Sequence, residues 1–530
     1  MKNYKVCILA AGAGTRLGEL TNHINKALLP VNSKAVISHI VEKFPANVEI
    51  VVAVGHKKET VKDYLNLAYP ERKFTFVEVD KYIGPGTGPG YSLLQCKNQL
   101  QNPFVFFAAD TIVLEEIPTP GHNWFGIALV KETEPYCTVR IKNNLIYQLD
   151  DKTKNNNRYA FIGLAGVKDY ETFFKSLENN KIISAGEIQV SNGFSGLIDH
   201  KLVPVGFSWF DTGTITNYSK TNQNFSEEKR FDFSKNDEFL YFVNGRVIKF
   251  FADEKTVENR YKRATTGLKG LCPEIEKRNG NFYSYKMIPG QTLYNTLNVK
   301  TVRSFLQWAK KKLWKKIQVE PENRDEFSKI CRDFYHTKTM ERLKMFYEQT
   351  GIKDTRNLIN GVSIPTLKDL LEKVDWEYIA NGVPSNFHGD LQFDNILVTN
   401  NNSHNLEEFV LLDWRQDFGG LTSMGDLYYD LAKLYGGTIL SYQLIKDGMF
   451  SFDMSGSRVY YNFYSKNDLQ EAKEEYESFL IENGFDLKKI RIITALIFLN
   501  MSPLHKNPFN LMLYYLGKNR LNKELANSSK

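Results

Sequence analysis

The sequence lacks the features of disulfide-rich, membrane-spanning and nucleic-acid-binding proteins. Its five cysteines are odd in number, scattered and without CxxC spacing, which argues against a disulfide framework or a zinc site. No stretch reaches the roughly 18 consecutive apolar residues of a membrane span, and the N-terminal apolar run is too short for a secretory signal. The net charge of +7 is spread without a Lys/Arg block, so nucleic acid is not an expected partner. We therefore expect a cytoplasmic protein that acts on small molecules.

The length and the pattern of the chain predict two domains. A chain of 530 residues exceeds one ordinary hydrophobic core. Residues 1–220 alternate apolar runs with helical segments, which predicts a Rossmann-like α/β domain. Residues 221–230 are predicted to be a linker, because the sequence there is polar and loses its periodicity. Residues 231–525 begin with an Asn-Gly hairpin and continue mainly as helices, an order typical of a bilobal, protein-kinase-like α+β domain.

A glycine-rich turn, "LAAGAGTRL", directly follows the apolar run "KVCILA". Backbone N–H groups of such a turn can close around a phosphate. A dinucleotide fingerprint needs a third glycine after Gly12 and Gly14, whereas this chain continues with Thr15 and Arg16. The turn therefore favours a nucleoside triphosphate over NAD, with Lys26 as a second cation if the chain folds back.

Two acidic residues are candidate ligands for a divalent cation. Asp110 ends the apolar run "FVFFAAD", which places it at the carboxyl edge of a strand, and Asp211 lies in "WFDTGT". Two phosphorylated reactants that share a site need a cation such as Mg²⁺ to neutralise them. Each acid alone is also typical of a cap or a turn.

These segments together resemble the sugar-phosphate nucleotidylyltransferase family. The matching pieces, in order over the first 215 residues, are "LAAGAGTRL", "KALLPV", "GPGTGPGYSLL", "FFAAD", "FIGLAGV", "GEIQV" and "WFDTGT". The resemblance implies attack by a substrate phosphate on the α-phosphorus of an NTP, with release of pyrophosphate. Two positions depart from the family: Asn25 replaces a proline, and the second active-site lysine has no clear counterpart, although Lys152 is a candidate.

The resemblance also implies a role for each matching residue. It assigns the triphosphate cradle to Gly12, Gly14 and Thr15, charge stabilisation to Arg16 and Lys26, and Mg²⁺ to Asp110 and Asp211. It places Gly86 and Gly88 against the base and Gly163 and Glu187 against the polyol face of the substrate.

A second group of motifs lies in "NFHGDLQFDNIL" and "VLLDWRQDFGG". Asp390 and, five residues on, Asn395 have the spacing with which a kinase loop takes the acceptor's proton and reaches Mg²⁺. Asp413, which follows a strand, would supply the metal carboxylate. His388 is interpreted as a brace of this loop, and Asp426 and Asp430 as residues that fix helix termini or pair with basic neighbours.

This half resembles the choline kinase and aminoglycoside phosphotransferase family. The resemblance implies that Lys249 grips the α- and β-phosphates of ATP and that Glu258 orients it. An ordinary solvated helix position is the alternative for Glu258.

The two resemblances predict a bifunctional enzyme. A kinase makes a phosphomonoester, and a nucleotidylyltransferase consumes one, so the product would be an NDP-activated precursor of a cell-surface polysaccharide. We favour a sugar or polyol as the acceptor. A choline or ethanolamine kinase joined to a cytidylyltransferase is one alternative, and a non-catalytic nucleotide sensor that regulates its neighbour is another.

Overall fold

The computed structural model describes two compact units, and each is described here by itself. One comprises Met1–Glu228, Ser234–Glu254 and Lys277–Ser284, and the other comprises Lys229–Phe233, Lys255–Glu276 and Tyr285–Lys530. The residues that the structure describes are 4–180, 182–184, 186–225, 236–401 and 406–526.

The first unit is built on a mixed sheet whose central strands are parallel. In the described part of residues 4–225 the chain forms fifteen strands and six α-helices. The strands are β1 Lys5–Ala10, β2 Pro30–Val31, β3 Lys34–Ala35, β4 Ile50–Val54, β5 Phe74–Glu78, β6 Phe104–Ala108, β7 Thr111–Val113, β8 Trp124–Leu129, β9 Cys137–Lys142, β10 Leu145–Asp151, β11 Tyr159–Val167, β12 Ile183–Ser184, β13 Glu187–Ile188, β14 Val203–Gly206 and β15 Trp209–Asp211. The helices are α1 Val36–Val41, α2 Lys58–Ala68, α3 Pro89–Gln95, α4 Tyr170–Asn179, α5 Ser191–Ser195 and α6 Ile215–Phe225.

The order of the strands explains why the apolar runs of the sequence are continuous. The main sheet runs β10-β9-β11-β6-β1-β4-β5, with β1 parallel to both β4 and β6. Two apolar clusters take alternate residues of β1: Val6 and Ile8 pack in one, and Cys7 and Leu9 in the other. A strand covered on both faces needs apolar residues throughout. The Rossmann-like α/β fold predicted for the N-terminal part is therefore confirmed.

The Asn-Gly hairpin predicted near residue 244 is confirmed, and it belongs to the first unit. Asn244 and Gly245 both have positive φ, at 49° and 67°, as a two-residue hairpin turn requires. The hairpin lies in a four-stranded sheet of order β16-β17-β19-β18. Its strands are β16 Glu238–Val243, β17 Arg246–Phe251, β18 Ile275–Asn279 and β19 Phe282–Lys286.

The buried Tyr241 on β16 connects the hairpin to the core of the first unit. Its hydroxyl donates to the Leu28 carbonyl over 2.8 Å, and its ring packs edge-on against Tyr64 at 4.9 Å. Residues 236–254, which the sequence assigned to the second domain, therefore pack within the first unit. Residues 221–225 complete helix α6, and the remainder of that predicted linker lies outside the described residues. The functional division at 221–230 stays a prediction.

The second unit is mainly helical. The pair of strands predicted from "NILVTN" and "FVLLDW" is confirmed as β24 Ile396–Asn401 and β25 Leu406–Leu411. The bilobal, kinase-like arrangement stays a prediction. The helices are α7 Glu254–Thr265, α8 Val299–Lys312, α9 Pro321–Arg332, α10 Lys338–Thr350, α11 Leu367–Glu372, α12 Trp376–Ala380, α13 Leu427–Gly437, α14 Tyr442–Lys446, α15 Asn467–Glu482, α16 Leu487–Met501 and α17 Phe509–Ala526. The strands are β20 Gln291–Thr292, β21 Asn357–Ile359, β22 Val362–Ile364, β23 Pro384–Ser385, β24 Ile396–Asn401, β25 Leu406–Leu411, β26 Gly425–Asp426, β27 Phe450–Ser455 and β28 Arg458–Phe463.

The apolar helices of the second unit form its interior. Helix α16 is buried along most of its length, where it packs against α13 and α17. In the part of the chain that the structure describes, no helix combines the length and the apolar character needed to cross a membrane.

Candidate functional site

The glycine-rich turn after β1 folds against Lys26. Gly14 has a φ of 69°, and a Cβ added there would stand 3.2 Å from the Lys26 Cβ. A Cβ at Gly12 would stand 3.8 Å from the Lys26 Cε. A 3-10 helix, Thr15–Thr21, follows at once and leaves Thr15 and Arg16 exposed. The structure therefore brings the turn and both predicted cations to one end of β1.

Asn25, where the family has a proline, holds Lys26 in place. Its buried amide donates to the Ala10 carbonyl over 2.9 Å and to the His56 carbonyl over 2.7 Å. Its side-chain oxygen accepts from the Ala27 N–H at 2.9 Å and caps the short helix that begins at Lys26. Sequence reasoning treated Asn25 only as a departure, although asparagine before a helical turn is a recognised capping signal.

Asp110, Asp211 and Arg16 converge on Gly213. A Cβ added to Gly213 would stand 3.1 Å from Asp211 Oδ1, 3.3 Å from Asp110 Oδ2 and 3.5 Å from an Arg16 guanidinium nitrogen. The Lys26 ammonium is 2.7 Å from Asp110 Oδ2. Two acids and two cations from four separate segments thus meet at one point.

The charges at this point shift the two carboxyl groups in opposite directions. Burial raises the pKa of Asp110, but Lys26 and then Arg16 lower it, and the net pKa is below its usual value. For Asp211, burial and then the charge of Asp110 raise the pKa. Asp110 is therefore the firmly ionised member of the pair.

Asn217 holds the Asp211 carboxylate. Its amide donates to Asp211 Oδ2 over 2.6 Å, and the Gly213 N–H donates to Oδ1 over 2.7 Å. No role was predicted for Asn217 from the sequence. Its position six residues after Asp211, on the first turn of a helix, was the available signal.

The loop with Gly86 and Gly88 packs on the strand that carries Glu187. The Gly86 N–H donates to the Gly186 carbonyl over 2.9 Å. A Cβ at Gly88, whose φ is 113°, would stand 2.7 Å from the Glu187 Cβ and 3.0 Å from the Ile188 carbonyl oxygen. The structure therefore brings the predicted base-binding and substrate-binding loops into contact.

The remaining predicted residues of this site differ in their surroundings. Lys152 lies 3.4 Å from the Glu187 carboxylate, which also accepts from the Gln189 amide at 3.1 Å. Gly163 lies in β11, and a Cβ there would stand 2.7 Å from the Ala108 Cβ. Close packing between strands thus accounts for Gly163, and its predicted contact with the substrate stays a prediction.

The second candidate site lies in the loop that precedes β24. The Asn395 amide donates to the Asp390 carbonyl over 2.9 Å and reaches its carboxylate at 3.4 Å. The Lys433 ammonium is 2.8 Å from Asp390 Oδ1, and the Gln392 amide donates to the same oxygen. Burial raises the pKa of Asp390, but the charge and the hydrogen bond of Lys433 and the charge of His388 lower it, and the net pKa lies below its usual value.

His388 braces this loop as the sequence predicted. Its Nε2 is 2.9 Å from the Leu412 carbonyl oxygen, and its Nδ1 accepts from the Asp390 N–H at 3.2 Å. Asp430 accepts from the N–H groups of His388 and Gly389 at 2.6 and 2.7 Å. The Asp430 carboxylate thus fixes the loop backbone and also interacts with the charge of Arg263. Its predicted role at a helix terminus or beside a basic neighbour stays a prediction.

Asp426 and the buried Arg263 hold the same region. Asp426 caps helix α13 through the Tyr428 N–H, as predicted. The Arg263 guanidinium donates to the carbonyls of Phe387, His388 and Arg415. Sequence reasoning missed Arg263, because a helical arginine gives no signal of the carbonyls it will meet.

The residues predicted to bind ATP or its metal in the second half of the sequence fall in different units. Asp413 has a positive φ of 56°, and its carboxylate is 2.5 Å from the Arg260 guanidinium. Lys249 is buried on β17 of the first unit, whereas Glu258 is exposed on α7 of the second. The orientation of Lys249 by Glu258 stays a prediction.

The chemistry of the donors fits Mg²⁺ at Asp110 and Asp211. Mg²⁺ takes oxygen ligands, and a cation would relieve the repulsion that raises the pKa of Asp211. Within the described ranges, no group of three or more His, Cys, Asp or Glu side chains could hold a metal by itself. A cation at this site would thus need substrate phosphate oxygens as further ligands, which is usual for Mg²⁺.

Comparison with known proteins gives matches to nucleotidyltransferases. Residues 6–117 match the family model of the MobA-like NTP transferase domain, a range that includes Gly12, Arg16, Lys26 and Asp110. The bifunctional protein GlmU of Methanococcus vannielii is 28% identical over 253 residues, which cover 46% of this chain and 59% of that relative. The choline-phosphate cytidylyltransferase of Streptococcus pneumoniae is 40% identical over 106 residues, which cover 20% of this chain and 44% of that relative.

A solved structure also aligns with part of the chain. The structure of UDP-glucose pyrophosphorylase complexed with UDP-glucose covers 42% of this chain and 98% of its own, at 20% identity and a TM-score of 0.37. The chain spans 59% of the length of the GlmU relative and 44% of the cytidylyltransferase relative.

Proposed function

We propose, from the nucleotidyltransferase domain that the N-terminal part of this chain carries, that the protein is a bifunctional enzyme of the cytoplasm. Its second half phosphorylates a small hydroxyl compound with ATP. Its first domain then couples the resulting phosphate to a nucleoside monophosphate taken from an NTP. The product is an NDP-activated precursor, which we assign to the synthesis of a cell-surface polysaccharide.

The convergence of Arg16, Asp110 and Asp211 on Gly213 is the observation that carries the nucleotidyl transfer. In this proposal the backbone of Gly12 and Gly14 binds the triphosphate, and Lys26 and Arg16 stabilise the charge that develops at the α-phosphate. A phosphate oxygen of the substrate bonds to the α-phosphorus, the bond from that phosphorus to its bridging oxygen breaks, and pyrophosphate leaves. Mg²⁺, when bound, supplies charge neutralisation at the phosphates.

The contact between Asp390 and Asn395 supports the phosphorylation step. The ionised Asp390 accepts the proton of the acceptor hydroxyl as its oxygen bonds to the γ-phosphorus of ATP. The bond between that phosphorus and the bridging oxygen breaks, and ADP leaves. Lys433 and Gln392 hold Oδ1 of Asp390. The other oxygen, Oδ2, has only the 3.4 Å contact with the Asn395 amide, and we assign the acceptor's proton to it.

A choline or ethanolamine acceptor is the second candidate. The observation in its favour is the identity of 40% over 106 residues with a protein named choline-phosphate cytidylyltransferase. In that version the first domain would use CTP. The match covers 20% of the chain and concerns the proposed nucleotidyl transfer. The acceptor of the proposed kinase depends on the residues of the second unit.

The test separates the two half-reactions in the full-length protein. Lys26→Ala removes the ammonium beside Asp110, so we expect pyrophosphate release from preformed phosphate substrates to fall by about 10²- to 10³-fold, with phosphorylation unchanged. Asp390→Asn should give the reverse result, since it removes the proton acceptor. Pyrophosphate and ADP release are measured in parallel assays over panels of NTPs, sugar phosphates and acceptors.

Matched controls are available in both units. Lys34, which pairs with Glu42 at the surface, controls for the loss of a lysine, and the exposed Asp453 controls for the loss of an acid. Full pyrophosphate release by Lys26→Ala would refute the transferase assignment. ADP release that is unchanged in Asp390→Asn would refute the kinase assignment, and binding of ATP without any turnover would favour the sensor.

A further inference from the structure

Four cations interact with one another near the loop of Asp390: Lys433 contacts the Asp390 carboxylate, Lys338 and Arg415 contact the Phe334 ring, and Arg342 acts on Lys338 and Arg415 through its charge. We call Lys338, Arg342, Arg415 and Lys433 the cationic cluster. The Lys338 ammonium lies 4.1 Å from the centre of the Phe334 ring, and the Arg415 guanidinium carbon lies 5.3 Å from the same point. Lys433 is the member that contacts Asp390 directly.

Three separate segments bring the cluster together. Lys338 and Arg342 are four residues apart on α10 and so share one face of that helix. A π-helical turn, Asp333–Thr337, precedes them, and such turns are frequent at functional sites. Lys433 comes from α13, and Arg415 follows β25.

Arg415 packs against the backbone of the Asp390 loop. A Cβ added to Gly389, the residue before Asp390, would stand 2.6 Å from the Arg415 Cβ and 3.2 Å from its Cδ. The Arg415 N–H donates to the His388 carbonyl over 3.0 Å. Arg415 is therefore fixed against the loop, and Lys433 against the carboxylate, that we propose takes the acceptor's proton.

Asp417 and Glu341 act on Lys338 and Arg342 only through their charge, without a direct ion pair. Asp390 pairs with Lys433, but Lys338, Arg342 and Arg415 form no ion pair with any residue in the described ranges. Burial, then Arg415, Lys433 and Arg342, lower the pKa of Lys338 to about 6, and Asp417 opposes this shift. The ring contacts and the bond from Arg415 Nε to the Asp417 carbonyl stabilise the cluster only modestly and leave its charges unneutralised.

We propose that the hydroxyl compound phosphorylated at Asp390 carries an anionic group, a carboxylate or a phosphate, that binds between Lys338 and Arg415. This inference rests on the proposed kinase function. An anion in this position would neutralise the charge of Arg415 and favour the protonated form of Lys338, which burial and the neighbouring cations disfavour. Through Arg415 it would also form a two-pronged contact that suits a planar carboxylate or a phosphate. The cluster would repel choline and other cationic acceptors.

The test uses the full-length protein with ATP and acceptors matched in all but charge. Suitable sets are glycerol, glycerate and glycerol phosphate, then glucose, gluconate and glucose 6-phosphate, with choline and ethanolamine as cations. We expect at least one anionic acceptor to exceed its neutral partner by 100-fold or more in kcat/KM. The carboxylate and phosphate members of each set distinguish the two sources of negative charge.

Substitutions in the cationic cluster test whether these residues cause the expected preference for anionic acceptors. Lys338→Met and Arg415→Gln should each raise KM for the anionic acceptor by 10-fold or more with a smaller change in kcat, and Lys338→Arg should restore KM. A merely structural role would lower kcat and thermal stability together and would not depend on the charge of the acceptor.

Different experimental results would contradict the anionic-acceptor inference and the kinase proposal. Phosphorylation of neutral or cationic acceptors at least as fast as of anionic ones would overturn the anionic-acceptor inference alone. Absence of ADP release with every acceptor, in a preparation that still releases pyrophosphate from NTP, would overturn the kinase proposal and this inference with it.

Discussion

His388 is the residue on which the geometry of the Asp390 loop most directly depends. Its ring is fully buried and joins the loop to the Leu412 carbonyl, while its Nδ1 accepts from the loop backbone. An imidazole that accepts at Nδ1 and donates at Nε2 is neutral. Burial is the main cause that lowers the pKa of His388 to about 4.

This shift predicts a loss of stability in acid. The folded-state pKa of about 4 lies below the ordinary value of 6.5, so the stabilisation is complete above pH 6.5 and is lost as pH falls toward 4. The slope is at most about 1.4 kcal/mol of unfolding free energy per pH unit. His388→Gln, which keeps a donor and an acceptor, should remove this slope when urea unfolding is measured between pH 7 and 4.5.

Asp430 provides the check on this prediction. Burial raises its pKa to about 6, so its contribution is present below its ordinary value of 3.8 and is lost as pH rises through 6. The two residues therefore act in opposite directions between pH 4 and 6. The difference between wild type and His388→Gln at each pH isolates the histidine, and an equal slope in both proteins would contradict the assignment.

At the scale of single elements, the hairpin between β16 and β17 depends on its two-residue turn. Gly245 has a φ of 67°, a backbone conformation that disfavours any side chain. Gly206, at the end of β14, has an ordinary φ and open space around its Cα. The two glycines thus form a matched pair.

Gly245→Ala should destabilise the hairpin by about 1–2 kcal/mol, because alanine is strained at this φ. Hydrogen exchange of the β16 and β17 amides should accelerate accordingly, by about tenfold for each 1.4 kcal/mol. Gly206→Ala should leave exchange in the hairpin unchanged. Equal protection of the hairpin in wild type and Gly245→Ala would show that the turn does not limit its stability.

At the scale of the whole molecule, a segment assigned by sequence to the second domain stabilises the first unit. Tyr241 is fully buried against Tyr64 and Leu28, whereas its neighbour Leu240 points to solvent. Tyr241→Ala should cost about 3–5 kcal/mol, as for other large buried side chains. The midpoint for heat inactivation of nucleotidyl transfer should fall on the order of 10 °C.

Leu240→Ala is the control for this experiment, because it removes a side chain of the same strand that is 38% exposed. We expect its inactivation midpoint to stay within about 2 °C of wild type, as for surface substitutions in general. A fall of equal size in both variants would indicate a general weakness of the strand. No fall in Tyr241→Ala would show that the hairpin does not support the first unit.

The sequence by itself determined the local elements and the chemistry of the candidate residues. The apolar run of β1, the Asn-Gly turn and the position of Asp110 after β6 follow from periodicity and turn chemistry, which act over a few residues. The glycine-rich turn and its neighbouring Arg16 likewise indicated phosphate chemistry, and residues 6–117 match the family model of an NTP transferase domain.

Only the tertiary structure decided which distant groups meet. Lys26 reaches Asp110 across 84 residues, and Arg260 reaches Asp413 across 153. The cationic cluster joins α10, α13 and the segment after β25, and the hairpin packs with the first unit although it follows the polar boundary. These contacts depend on the order of strands and the packing of helices, which are set by burial over the whole chain and leave no periodic trace in one sequence.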